Sequence, residues 1–136
     1  SFINWLQDKS SPVFVIATAN NPFNLPTEFL RKGRFDEIFF LDLPDIEERK
    51  KIFKIYTTGV SVSDEEFETL AYHSKNLSGY EIKKAVVSSL YDACEEGKTL
   101  NYKTILKNLH NITPYVLIEE AGRLREWAKN NARKAS

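Results

Sequence analysis

The stretch VFVIATANNPFNLPTEFLRKGRFDEIFFLDL, residues 13–43, decides the fold of this chain. It begins with an apolar run, Val13 to Ala17, whose β-branched and aromatic side chains predict a short strand buried on both faces. A helical turn is predicted over Pro26 to Leu30, and a second apolar strand over Ile38 to Leu43. Polar residues follow the first strand, and an arginine pair lies between the two strands. Because parallel α/β sheets bind ligands beyond the carboxyl ends of their strands, this arrangement predicts a phosphate site.

Two parts of this stretch resemble motifs of the AAA ATPase core. ATAN ends the first strand as the sensor 1 strand of that family ends, and LPTEFLRKGRFDEI resembles the family's arginine-finger helix and loop. The resemblance covers nearly the whole chain. LPTEFLRKGRFDEIFFLDLP, together with LREWAK near the C-terminus, resembles the AAA group of cyanobacteria and plastids that is known mainly as conserved open reading frames.

The resemblance implies a chain of two parts. Residues 1–45 correspond to the C-terminal part of the AAA α/β subdomain, an α/β fragment of a P-loop AAA+ core, and residues 46–136 to an all-α helical-bundle lid subdomain. In the second part, Ser or Asp followed three positions later by Glu predicts the start of a helix. Five short amphipathic helices with brief loops predict a small bundle. The predicted starts are Asp45 with Glu48, Ser63 with Glu66, Ser78 with Glu81, Asn101, and Thr113 with Pro114.

The sequence contains neither a GxxxxGK[ST] loop (Walker A) nor an acidic pair ending an apolar strand before Val13 (Walker B). Without these motifs, the chain is not expected to hydrolyse ATP by itself. The sequence begins without Met, in what resembles the end of a helix, so we expect it to be cut from a longer protein. ATP and Mg²⁺ are expected in that full-length parent, with no cofactor on this chain alone. The strand that lies between the two predicted strands in the family is absent, so we expect these strands to lack partners or to pair between chains.

The composition limits the classes of partner and compartment. Nineteen basic and nineteen acidic residues cancel, which gives no support for a nucleic-acid-binding or membrane-binding surface. The single cysteine, Cys94, excludes an internal disulfide and is predicted to be buried. His73 and His110 lie far apart in the sequence, without Cys or carboxylate at ligand spacing, so no metal site is predicted. No apolar run of about 20 residues is present, so we expect a cytoplasmic protein, or one of the plastid stroma in a plastid-bearing organism.

Asn20 ends the first predicted strand, where the resemblance implies the sensor 1 residue. In the family an amide at this position orients the attacking water, which suits phosphoryl transfer because that reaction depends mostly on positioning and charge stabilisation. The residue type alone favours a different role, shaping the turn before Pro22. Asn21 is predicted to be a turn residue only.

Arg31 and Arg34 resemble the two arginine fingers of AAA rings, which reach into the nucleotide site of a neighbouring subunit. A guanidinium suits the γ-phosphate because it is planar, always charged and donates paired hydrogen bonds. Gly33 is expected to let the chain turn so that both arginine side chains face outward. The alternative for an Arg-Lys-Gly-Arg run is a solvated basic loop, but Phe35 and Asp36 directly after it favour the finger motif.

Four residues of the second part fall where AAA lids contact the nucleotide. By the resemblance, Ile52 and Tyr56 lie at the base and ribose, and Gly79 and Tyr80 lie at the start of the helix that closes over the adenine. Core packing is the alternative for Ile52 and Tyr56. Tyr80 is bulkier than the small residue usual after the glycine. The segment SGYEIKK carries no sensor 2 arginine, as in the AAA clade.

The motifs and the resemblance together imply the C-terminal fragment of an AAA ATPase. The parent is expected to couple ATP hydrolysis to remodelling of a macromolecular substrate, within a ring of neighbouring AAA subunits that we expect to be a hexamer. Asn20, Arg31 and Arg34 are the expected catalytic residues. The alternative function is a non-catalytic helical adaptor or interaction module derived from an AAA lid, which would be free to lose both arginines.

Overall fold

The computed structural model describes residues 1–8, 10–31 and 33–135 and is mainly helical. The chain divides into two compact units, of which the first holds Ser1–Leu41 and the residues from Gly122 onward, and the second holds Asp42–Ala121. In chain order the elements are α1 (Phe2–Asp8), a 3₁₀ turn (Pro22–Asn24), α2 (Thr27–Leu30), β1 (Phe39–Phe40), α3 (Ile46–Tyr56), α4 (Asp64–His73), α5 (Gly79–Glu95), α6 (Tyr102–His110), α7 (Ile118–Asn131) and β2 (Arg133–Lys134).

The first unit contains the two short helices that the sequence predicts. Helix α1 buries Leu6, and its Phe2 ring stacks on Trp5 at a centroid distance of 5.7 Å. The same Phe2 ring stacks on Phe29 of α2 at 6.4 Å. Because Phe2 joins α1 to α2, the chain just before the arginine run is attached to α1.

The prediction of a buried strand at Val13 to Ala17 is wrong. No strand forms there, and the side chains of Phe14 and Ile16 are 89% and 78% exposed. A strand exists only where a neighbouring strand accepts and donates its backbone hydrogen bonds. None of the strands formed by the described residues pairs with this segment.

The second predicted strand, Ile38 to Leu43, is shorter than expected and has a partner that the sequence did not indicate. Only Phe39–Phe40 is strand, and it pairs in parallel with Arg133–Lys134. Arg133 donates its backbone N–H to Ile38 O at 2.8 Å. The C-terminus of the same chain therefore pairs with β1, whereas we had expected an unpaired strand or pairing between chains.

The second unit contains helices α3 to α6, and the local starts predicted for them are confirmed. Asp45, Ser63 and Ser78 each cap a helix in a reciprocal capping box, and Asn101 caps α6. The apolar stripes of these helices meet in one core. Its fully buried members include Phe53, Leu70, Ile82, Val86 and Ile105.

The last helix starts later than predicted. The sequence placed its start at Thr113 and Pro114, but α7 begins at Ile118. In the stretch before α7, the backbone N–H of Tyr115 donates to the carboxylate of Glu81 on α5. The residues of α7 from Gly122 onward belong to the first unit, so the observed units differ there from the predicted division at residue 45.

Two expectations drawn from composition can be compared with the structure. Cys94 is exposed on α5, so the prediction that it is buried is wrong. It lies one position beyond the buried Ala93, outside the apolar face of α5 that enters the core.

Within the described part of the chain, none of the helices combines the length and the apolarity that crossing a membrane requires.

Candidate functional site

Asn20 lies in a bend after residues 12–19, which form neither helix nor strand, and it is exposed. The next residue, Asn21, caps the 3₁₀ turn, since its Oδ1 accepts the backbone N–H of Phe23 at 2.9 Å. Asn21 is therefore the residue that shapes the turn before Pro22, as predicted for it. Residue type alone favoured Asn20 for shaping this turn, but Asn21 does so. Asn20 is exposed to solvent.

The arginine loop, residues 31–34, follows α2 directly; Lys32 lies outside the described residues. The backbone N–H of Arg34 donates to Arg31 O at 3.3 Å, which closes a tight turn. Gly33 has a φ of +90°, a conformation that side-chain-bearing residues rarely adopt. The glycine therefore permits the turn that the sequence predicts at this position.

The two arginines of this loop differ in their surroundings. The side chain of Arg31 is exposed, and it forms no hydrogen bond or ion pair with the described residues. Arg34 is half-buried, and its Nη1 donates to Ile3 O of α1 at 3.0 Å. The expectation that both side chains face outward is therefore wrong for Arg34, because α1 offers acceptors that the sequence pattern does not reveal.

Helix α1 offers Arg34 a second acceptor, the side chain of Gln7. With the Gln7 amide oriented so that its oxygen faces the guanidinium, that oxygen accepts from Arg34 Nη2 at 3.1 Å and from Nε at 3.2 Å. The amide orientation is assigned from this hydrogen bonding, since oxygen and nitrogen are chosen by their partners. Arg34 thus makes three contacts with α1.

Two of the four predicted nucleotide-binding residues, Ile52 and Gly79, come together where α3 meets the start of α5. A Cβ atom added to Gly79 would lie 3.6 Å from Ile52 Cδ1, so the absence of a side chain leaves a shallow notch against Ile52. Tyr56 is 40% exposed, and Lys83 Nζ lies 5.8 Å from the centroid of its ring. Tyr80 is 74% exposed. Ile52 also packs on the core of the second unit, whereas Tyr56 does not belong to it.

This junction presents mainly apolar surface. An isoleucine methyl group, an aromatic ring and a notch without a side chain offer apolar surface to a planar base. Lys83 adds a positive charge beside the ring. Groups that would bind the phosphates or a metal ion are not found beside it. The sequence has no phosphate-binding loop, and the described residues include no group of three or more metal-ligating side chains.

Comparison with known proteins identifies the family. The profile described as "ATPase family associated with various cellular activities (AAA)" matches residues 1–43. The "Uncharacterized AAA domain-containing protein ycf46" of Trieres chinensis is 41% identical over 135 residues, which is 96% of this chain and 27% of the relative. The chain belongs to the AAA family. The protein of the same name from Pyropia yezoensis is 41% identical over 142 residues, covering 100% of this chain and 29% of the relative.

A more distant relative has a different name. The "Proteasome-activating nucleotidase" of Saccharolobus islandicus (strain Y.N.15.51 / Yellowstone #2) is 37% identical over 100 residues, which is 73% of this chain and 25% of the relative. The AAA chain thus spans between a quarter and three-tenths of the length of these proteins.

Two further features of the AAA chain lie away from the predicted sites. His73 Nδ1 and His110 Nε2 are 3.4 Å apart, although the two histidines lie 37 positions apart in the sequence. They are the last residues of α4 and α6, two helices that pack together, and sequence distance does not reveal this. A cleft of about 460 Å³ beside α3 and α4 is lined by Lys50, Glu68 and His73, among others, and by none of the predicted site residues.

The partners of Arg34 have no signal in the sequence of the AAA chain. Arg34 binds Ile3, which lies 31 positions before it, and Gln7 of the same helix. Glu81 likewise binds Tyr115, which lies 34 positions after it. Gln7 lies in a short helix with no motif around it. Glu81 was recognised as a cap of α5, and only the tertiary structure adds its second role.

Proposed function

We propose that the chain supplies three working parts to a longer AAA ATPase that couples ATP hydrolysis to the remodelling of a macromolecule. These parts are the sensor 1 residue Asn20, the arginine loop that acts on a neighbouring subunit, and a helical lid that covers the nucleotide. The observation that carries the proposal is the exposed Arg31 on a tight turn, within residues that match the AAA family. Because the chain spans 27% of the Trieres relative, the activity belongs to a longer protein.

Each residue has a task that its surroundings support. Arg31 projects a permanently charged, planar donor group, which stabilises negative charge that develops on the γ-phosphate. The exposed amide of Asn20 is free to orient a water molecule for attack. Ile52, Tyr56, Gly79 and Tyr80 contact the base and ribose. Mg²⁺ would neutralise charge on the phosphates, and the described residues include no group of three or more metal-ligating side chains.

An arginine that acts on another subunit requires an oligomer. We propose a ring of identical subunits, a hexamer, in which each arginine loop faces the nucleotide of the next subunit. The similarity to a proteasome-activating nucleotidase supports an assembly that acts on other macromolecules. The similarity leaves the class of macromolecule open, and the cancelling charges of this chain favour no nucleic acid.

Turnover and ATP binding, measured separately on the full-length protein, test the proposal. Arg31→Ala and Arg34→Ala are each expected to lower kcat on the order of 10²–10⁵-fold while ATP binding is largely retained. Arg133→Ala removes an exposed arginine elsewhere in the first unit and should leave both quantities unchanged. Equal loss of binding and turnover in the loop variants would contradict a role on the neighbouring subunit.

One observation favours the alternative, a non-catalytic helical adaptor. The second unit, Asp42–Ala121, encloses a core of its own and closes its helix starts with its own side chains. Such a unit is able to fold as an interaction module without nucleotide. An adaptor has no use for the arginine loop, so wild-type turnover in the Arg31→Ala protein, or no turnover in the wild type, would favour it.

A further inference from the structure

The guanidinium of Arg34 is already engaged on its own subunit. Its Nε and Nη2 both face the Gln7 oxygen, at 3.2 Å and 3.1 Å, and Nη1 donates to Ile3 O at 3.0 Å. The Nε–Nη2 edge is one of the two edges by which arginine binds carboxylates and phosphates in a bidentate manner. In Arg34 that edge is directed at α1.

Helix α1 also holds the other end of this segment. Phe29, two residues before the arginine loop, stacks on Phe2 of α1 with ring centroids 6.4 Å apart. The loop is therefore attached to one short helix on both sides, through Phe29 before it and Arg34 at its end. Between the two attachments lie Arg31 and the Gly33 turn.

Arg31 differs from Arg34 in every one of these respects. It is exposed, and among the described residues nothing accepts a hydrogen bond from its side chain. Its backbone takes part in the turn, because Arg31 O accepts from the Arg34 N–H at 3.3 Å. A side chain exposed on a hydrogen-bonded turn suits a reaching arginine, since its five donors remain available to the incoming phosphate.

We propose that the two arginines do different work: Arg31 alone reaches the nucleotide of the neighbouring subunit, and Arg34 is a positioning residue that fastens the loop to α1 through Gln7 and Ile3. This inference rests on the proposed function and sharpens it. It predicts that Gln7, a residue with no catalytic chemistry of its own, affects turnover through Arg34.

Hydrogen exchange on the 136-residue chain tests the fastening without any ATPase activity. Arg34→Ala and Gln7→Ala are each expected to speed amide exchange in α1 and in residues 31–34, because the loop loses an attachment. Arg31→Ala is the matched control and should leave the exchange of α1 as in the wild type. Unchanged exchange in both Arg34→Ala and Gln7→Ala would overturn the inference.

Turnover of the full-length protein tests the division of work. Arg31→Ala and Arg31→Lys should both lower kcat by about 10³-fold or more. Arg34→Ala should lower it by about 10²-fold through misplacement of the loop, and Arg34→Lys, which keeps a charged donor group for α1, should recover part of that loss. Gln7→Ala should lower kcat by about 10-fold, and the Gln7→Ala/Arg34→Ala double variant should be no slower than Arg34→Ala alone.

The outcomes separate this inference from the function on which it rests. Wild-type turnover in the Arg31→Ala protein would contradict the proposed function itself. If Arg31→Ala and Arg34→Ala both abolish turnover while Gln7→Ala has no effect, Arg34 contacts the phosphate directly and the inference is wrong. Additive losses in the double variant would also contradict it, because they would show that Gln7 and Arg34 act independently.

Discussion

Arg49 donates from Nε to the backbone carbonyl oxygen of Ala71 at 3.0 Å and thereby joins α3 to α4 from inside the second unit. Its Nη1 donates to Pro44 O at 2.8 Å, just before the Asp45 cap. The side chain is 7% exposed, and burial lowers the pKa of its guanidinium, although arginine stays charged at neutral pH. A buried charge is tolerated here because two carbonyl oxygens accept its hydrogen bonds.

Replacement of Arg49 by alanine should strongly destabilise the second unit. The change leaves two carbonyl oxygens without their charged donor, so we expect the free energy of unfolding to fall by about 2–4 kcal/mol. Urea denaturation of the chain, followed by circular dichroism, measures it. Lys51→Ala, an exposed neighbour on α3, is the control and should stay within about 0.5 kcal/mol of the wild type. A similar small value for Arg49→Ala would show that the two hydrogen bonds are not needed.

Glu81 should contribute more to the free energy of unfolding than an ordinary helix-capping residue does. Its carboxylate accepts from the N–H and the hydroxyl of Ser78, each at 2.7 Å, and from the N–H of Tyr115. Glu81→Gln keeps only one acceptor oxygen, so a loss of about 1–2 kcal/mol in the free energy of unfolding is expected, with faster amide exchange at Tyr115. Glu66→Gln alters the exposed box of α4 and should cost less. Equal losses in the two variants would mean that the contact with Tyr115 adds nothing.

What the sequence predicted correctly is local. The capping boxes of Ser63 and Ser78 need only residues three positions apart, so composition and spacing suffice to find them. The strand at Val13 to Ala17 depends on a partner elsewhere in the protein, and hydrophobicity does not reveal whether that partner is available.

The same limit applies to the candidate site. The arginine motif and the Gly33 turn were predicted from adjacent residues, whereas the attachment of Arg34 to α1 was not, because Ile3 lies 31 positions away. Ile52 and Gly79 were each placed by resemblance, and only the folded second unit brings them within contact distance. The nucleotide-binding roles of these residues stay predictions.

Gly79→Ala should change stability and nucleotide binding in opposite directions. The residue sits in a helix without a positive φ, and the new Cβ would lie in ordinary contact with Ile52 at 3.6 Å. We expect a gain of about 0.5 kcal/mol in the free energy of unfolding, because alanine restricts the unfolded chain. Fluorescent-nucleotide titration of the full-length protein should show weaker binding, because the methyl group fills the notch.

Gly122→Ala provides the matched control for that experiment. Gly122 is also helical, and an added Cβ would meet nothing within 4 Å. It should bring a similar gain in stability with unchanged nucleotide affinity. If Gly79→Ala also leaves affinity unchanged, the notch beside Ile52 is not part of a nucleotide site.

The surface ion pair of Lys54 and Asp64 should make a small contribution to the free energy of unfolding, and this contribution should depend on pH. The hydrogen bond from Lys54, at 2.9 Å, lowers the pKa of Asp64 below its ordinary value of 3.8. A carboxyl group whose pKa is lower in the folded state stabilises the fold above its unfolded value and loses this effect as the pH falls through the folded value. Both groups are exposed, so salt screens the term.

Urea midpoints from about pH 5 down to about pH 2 test this pair. The stability difference between the wild type and Asp64→Asn should shrink over this range and at high salt. Glu65→Gln alters an adjacent exposed carboxylate that forms no ion pair with the described residues, and it serves as the control. A difference that stays constant with pH would show that the ion pair contributes nothing.

The pairing of β1 with β2 makes a prediction about single backbone amides. In this parallel pair, Arg133 N–H donates to Ile38 O at 2.8 Å and Ala135 N–H to Phe40 O at 3.0 Å, whereas the N–H of Lys134 takes no part. Arg133→Pro removes one of the two donors, so amide exchange at Ala135 should become faster, and the exchange of α3 to α6 should not change. Lys134→Pro keeps both donors and should preserve the protection of Ala135. Loss of protection in both variants to the same extent would mean that proline disturbs the C-terminus generally and that the hydrogen bond of Arg133 does not hold the strand in place.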